Sequence, residues 1–95
     1  MYVMEITSFI KMPDEKMKAI HREFLKKMLG DKKLILAGRM LDNTGSFLLW
    51  EVNDTSEAKR VASSDPYFEN GFTTFVLKGW DIFWNGFMNP PKMPL

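Results

Sequence analysis

Cysteine is absent from the 95 residues. That excludes a disulfide framework, a thiolate metal site and a cysteine nucleophile, and it fits a reducing compartment. Histidine occurs once, with no HxxxH or HxH pattern. Dedicated ligands are therefore too few for a metal centre, and none is expected. Neither sign of charge dominates. Thirteen Lys+Arg stand against twelve Asp+Glu, for a net +1, and no basic block is present to hold a phosphate backbone. No apolar run reaches the roughly 18 residues of a membrane-spanning helix. The first residues, Met1-Tyr2-Val3-Met4-Glu5, carry neither a basic n-region nor an apolar h-region. The expectation is a cytoplasmic protein with neither membrane nor nucleic acid as partner.

What is present in quantity is apolar and aromatic. Apolar residues make up 45% of the chain, with eight Phe, three Trp and eight Met. A chain this short forms one domain. So heavy an aromatic load implies an apolar face that needs a further cover, either a partner subunit or a ligand.

Residues 2–10 (YVMEITSFI) are rich in β-branched and aromatic types and read as a strand, broken at Pro13. Asp14 caps a helix running to Leu29, with Lys26 and Lys27 in its last turn. Gly30 suits the left-handed residue just beyond. Lys33 to Ala37 is a second strand. The cluster Leu41-Asp42-Asn43-Thr44-Gly45 turns it back on a third, residues 46–52 (SFLLWEV). Asp54 with Glu57 forms a capping box for a helix to about Ser63. Asp65-Pro66 is a second cap with proline at the first helical position, in a turn ending at Gly71. Phe72 to Lys78 is the last strand, extended after Gly79 through Trp84. The body is thus placed at residues 1–84 and a Pro-rich tail at 85–95.

The order β-α-β-β-α-β describes an α+β, ferredoxin-like fold: a four-stranded antiparallel sheet with two helices on one face. The third and fourth strands have apolar residues at both parities, Phe47 and Leu49 against Leu48 and Trp50, Phe75 and Leu77 against Val76. One face meets the helices. The other leads us to expect a homodimer through the sheets, a dimeric α+β barrel. Further association of dimers is left open, and the alternative is a monomer whose tail folds over the sheet.

His21 lies within the apolar stripe of the first helix, among Met17, Ile20, Phe24, Leu25 and Met28. A helix that needed only solubility would place it opposite, with Arg22 and Lys26. Two readings are open: a proton carrier tuned by a carboxylate, or a partly buried histidine bonded to backbone. Asp65 also has two, a helix cap or the acid that orients His21.

Taken together, Ala19-Ile20-His21, Leu36-Ala37-Gly38, Gly45-Ser46-Phe47-Leu48, Ser64-Asp65-Pro66-Tyr67 with Gly71, and Gly79-Trp80 resemble the YciI-like proteins over residues 2–84. The resemblance implies a dimer through the sheets and a His21–Asp65 active-site pair. It also implies acid/base chemistry, elimination or isomerisation, on small carboxylated or lactone substrates, similar to muconolactone-isomerase-type proteins. The chain departs from the usual pattern at Arg39, where many relatives carry Pro or Ala, and in its longer tail. In this reading His21 abstracts a carbon-bound proton and Asp65 holds its tautomer. Arg39, Gly38 and Ser46 hold developing negative charge. Tyr67, Trp50 and Phe24, with Met17 and Phe68, line an apolar cleft. No organic cofactor or metal is required. The alternative is a non-catalytic module that binds a small ligand in the same cleft. A haem protein with His21 as axial ligand ranks lower. RNA recognition, though it shares the topology, lacks its basic-Gly-aromatic strand motif here.

Overall fold

The structure is a computed structural model describing residues 1–83; the tail expected at 85–95, and Trp84 with it, lies outside the described residues. The strands are β1 (Tyr2–Phe9), β2 (Leu34–Arg39), β3 (Gly45–Glu51) and β4 (Thr73–Trp80). The helices are α1 (Glu15–Gly30), α2 (Thr55–Ser63) and the one-turn α3 (Pro66–Glu69). The strands form one antiparallel sheet in the order β2-β3-β1-β4, the ferredoxin-like arrangement.

Strand alternation sorts the sheet's two faces. In β1, Val3, Glu5 and Thr7 are buried beneath the helices, whereas Tyr2, Met4 and Ile6 turn the other way. Register carries this across the sheet. Val3 pairs with Trp50 and Glu5 with Leu48 on one side, and with Gly79 and Leu77 on the other. The core forms where Val3, Leu34, Leu48, Trp50 and Val52 meet Ala58 and Val61 of α2, with Phe24, Leu25 and Met28 of α1 packed against them. Gly45 lets β3 approach β1 closely: a Cβ there would collide with the Thr7 carbonyl. Beside it the Ser46 N–H donates to Thr7 Oγ1 at 2.9 Å.

All three helices begin at an aspartate. Asp14 accepts the Met17 N–H, Asp54 the Glu57 N–H and Asp65 the Tyr67 N–H, each at 2.8 Å. The capping box at α2 is not reciprocal, because Glu57 takes the Asn53 side-chain amide at 3.3 Å instead. At the end of α1 the glycine expectation is corrected. Gly30 is the last helical residue and Asp31 the C-cap. Lys32 takes the left-handed position, at φ 60°. Lys33 N–H then bonds Met28 O at 3.1 Å, and Lys32 N–H bonds Leu29 O at the same distance, the paired bonds of a Schellman turn. At the end of α3 the left-handed residue is Gly71, φ 79°, with Phe72 N–H on Tyr67 O at 2.8 Å. The last strand stops at Trp80 rather than continuing.

Candidate active site

The site starts from the local needs of α3. A four-residue helix has almost no internal hydrogen bonding, so its ends must be held from outside. Asp65 does this at the N-terminus in an extended conformation, with Pro66 pre-set behind it. One carboxylate oxygen, Oδ1, accepts the Tyr67 N–H. The other, Oδ2, is left to point away from α3, and α1 runs alongside. There it meets His21 Nε2 at 3.2 Å. The pair is well enclosed, with 13% of the His21 side chain and 4% of the Asp65 side chain exposed.

Tyr67 completes the cradle. Its ring lies under the His21 imidazole, centroids 3.8 Å apart and planes 6° from parallel. Phe24 flanks the imidazole at 6.4 Å. The run Asp-Pro-Tyr therefore supplies a hydrogen-bond acceptor at the ring edge and a flat surface on the ring face. Burial, and next the Asp65 charge, push the Tyr67 hydroxyl above its usual range. That keeps Tyr67 neutral.

An ionised Asp65 can only accept a hydrogen bond. A neutral His21 must then carry its proton on Nε2 and keep the lone pair on Nδ1. Nδ1 has no protein partner among the described residues. Such an imidazole can take a proton at Nδ1, and the resulting cation is stabilised by the carboxylate and by the face of Tyr67.

His21 and Tyr67 border a groove of about 270 Å³ between α1 and the β2–β3 hairpin. Leu25 and Leu48 make it apolar at depth, and Gly38, Arg39 and Ser46 form the hairpin wall. Lys18 and Arg22 border it from α1. Lys18 pairs with Glu15 at 3.3 Å. Arg22 and Arg39 have no acidic partner among the described residues. The groove thus offers two uncompensated guanidinium groups near one imidazole. No three or more His, Cys, Asp or Glu residues gather as a metal site would require, among the described residues.

Of the residues singled out from sequence, His21, Tyr67, Gly38, Arg39 and Ser46 line this groove, and Asp65 stands behind His21. Trp50, Phe24, Met17 and Phe68 do not line it, which corrects the expected cleft. Trp50 sits mid-sheet under the helices, 0% exposed, so no ligand reaches it. Phe24 packs edge-on against Trp50 at 6.3 Å, and Phe68 lies against Phe75 at 4.8 Å. Arg22 was missed because on a helical wheel it belongs to the solvated side, and Lys18, three residues before His21 at the edge of the apolar stripe, because a lysine there reads as a solvated rim.

Glu5 was missed as well. It is 1% exposed and accepts the Trp50 indole N–H at 2.8 Å. Burial pushes its carboxyl up to about 7; the Trp50 bond opposes the rise and the Asp65 charge adds to it. The available signal was its place between Val3 and Thr7, on the parity that faces the helices.

The YCII-related domain family matches residues 1–80. An uncharacterized protein of Bacillus subtilis (strain 168), YjpA, is 29% identical over 62 residues, covering 65% of this chain and 73% of that one. Among solved structures, 5-chloro-2-hydroxyhydroquinone dehydrochlorinase (TftG) from Burkholderia phenoliruptrix AC1100, in complex with 2,5-dihydroxybenzoquinone, superimposes with a TM-score of 0.68. It is 20% identical, and the match covers 85% of this chain and 94% of that one. At that identity the likeness speaks to the fold.

Proposed function

The chain belongs to the YCII-related family, and we propose that it is a small-molecule enzyme in which His21, oriented by Asp65, moves a proton on a small acidic substrate. The observation that carries this reading is the His21 Nε2–Asp65 Oδ2 contact at 3.2 Å at the wall of a groove. The groove's size suits one ring rather than a nucleotide or a lipid chain. Its two guanidiniums, without an acidic partner among the described residues, suit a carboxylate or an ionised ring hydroxyl.

The chemistry is an elimination or an isomerisation. Nδ1 of His21 takes a proton, from a carbon beside a conjugated carbonyl or from a ring hydroxyl, and the electron pair left behind moves into the conjugated system. Arg39, with Ser46 and the backbone at Gly38, holds the charge that develops there. The pair then either expels a leaving group or accepts the proton back at another carbon. Asp65 stabilises the imidazolium in between. That TftG is a dehydrochlorinase with a quinone ligand supports this class, since dehydrochlorination removes a proton and chloride from a small ring. The working unit is proposed as a cytoplasmic homodimer of the domain at residues 1–84, paired through the sheet face opposite the helices.

The test uses 5-chloro-2-hydroxyhydroquinone, 2,5-dihydroxybenzoquinone and muconolactone in deuterated buffer, reading chloride release and deuterium incorporation. Turnover of at least one probe is expected, and His21→Ala should lower kcat by about 10²-fold or more while the protein stays folded. Turnover that survives His21→Ala removes the base from the mechanism. Binding of a probe with no turnover makes the groove a binding module.

A further inference from the structure

The groove has two walls, and each carries a guanidinium. On α1, Lys18, His21, Arg22 and Leu25 follow the i, i+3, i+4, i+7 spacing of a single helix face. All four border the groove, so the imidazole shares its face with two cations. On the other wall, strand register does the placing. Arg39 pairs with Ser46, and Ala37 with Leu48; directly opposed residues of an antiparallel pair project to one side. Leu48 is buried under the helices, 2% exposed. Arg39 and Ser46, two residues along from Ala37 and Leu48, therefore rise on that same side.

The charge on these walls is unbalanced. No acidic side chain lines the groove among the described residues. Lys18 is engaged with Glu15 at 3.3 Å, and Asp65 is committed to His21 and the Tyr67 N–H. Arg22 and Arg39 are left, one on each wall, without an acidic partner among the described residues. Two like charges that flank a space floored by Leu25 and Leu48 repel one another, and anions between them remove that repulsion. Each guanidinium fork takes one carboxylate bidentately, so two forks on two walls suit two anionic groups. The volume, about 270 Å³, leaves room for one ring between them.

We propose that the substrate class is a small ring carrying two acidic groups: Arg22 on α1 anchors one, and Arg39 with Ser46 on the hairpin holds the other. Arg22 is thereby a specificity-determining residue, on the same helix face as His21. A ring with a single acidic group satisfies only one wall. As a statement of substrate this rests on the function proposed above, but the preference for two anions is a property of binding. It is read without turnover, so the two succeed or fail separately.

The test is calorimetric titration of the whole protein with benzoate, with phthalate, isophthalate and terephthalate, and with benzamide as the neutral control. At least one diacid should bind about tenfold or more tighter than benzoate, the worth of one further charge-assisted bond. The diacids differ only in the angle between their carboxylates, so the preferred isomer reports the spacing of the walls. Arg22→Gln and Arg39→Gln should each bring that diacid down to the affinity of benzoate. Both side chains are exposed, so neither substitution removes core packing. Added salt should erode the diacid's advantage. A panel in which no diacid exceeds benzoate, including one in which nothing binds, overturns the proposal. So does an advantage that survives either substitution, which would leave that arginine a solvated surface charge. If one variant fails to fold, the wild-type panel and the other variant decide.

Discussion

Asp65 accepts the Tyr67 backbone N–H with one oxygen and the His21 ring with the other. From sequence, helix cap and orienting acid were alternatives; in the fold one carboxylate makes both contacts, because the cap bond holds one oxygen and leaves the other to reach the ring. Glu5 carries a consequence for stability. Its folded carboxyl is raised to about 7 from an ordinary 4.5, so between those values the folded protein binds more protons than the unfolded chain. Stability therefore falls as pH rises from about 4.5 to about 7 and levels off above, a decline on the order of 3 kcal/mol from this group. Urea denaturation across that range, at fixed protein concentration, should show the decline in the wild type and lack it in Glu5→Gln. An equal slope in both would assign it elsewhere. His21 was legible because a lone imidazole in an apolar stripe is conspicuous. Glu5 was not, because an acid in a strand is read as solvent-facing until register shows which parity the helices cover.

Helix starts were legible at every element, since Asp14, Asp54 and Asp65 each sit where their side chains can take an orphan N–H. The end of α1 was not. Glycine is the usual left-handed cap, yet the helix runs on through Gly30 and gives that conformation to Lys32. The Cβ of an alanine at Gly30 would meet nothing within 4 Å. Gly30→Ala should therefore stabilise the protein, by about 0.5–1 kcal/mol from helix propensity, measured by thermal or urea unfolding. A loss of stability would mean that Gly30 needs its conformational freedom after all. The α3 turn is the opposite case: Gly71 does take the left-handed conformation, and it closes the helix that carries Tyr67.

Among the described residues, the helices cover one face of the sheet and leave the other open. The expected cleft was placed over Trp50 because aromatic residues suggest a ligand wall, but the centre of the sheet is where both long helices seal the core. The groove opens instead toward the β2–β3 hairpin, where polar and charged side chains end the core. On the opposite face Val76, Trp80 and Ile6 remain 56%, 43% and 38% exposed. An apolar face of this kind is what a second copy would cover. Light scattering at micromolar concentration should return twice the chain mass for the wild type, and Val76→Glu should return the chain mass. A wild-type monomer would contradict the sheet-to-sheet pairing.

The most direct test of the acid–base reading is the tautomer of His21, read from its ring ¹⁵N shifts at a pH where the imidazole is neutral. With one histidine in the chain the signals need no separation. The expected result is a proton on Nε2, donated to Asp65, and a bare Nδ1 available as the base. A proton on Nδ1, or an even mixture of tautomers, would mean that Asp65 does not orient the ring, and the proposed proton transfer would lose its basis.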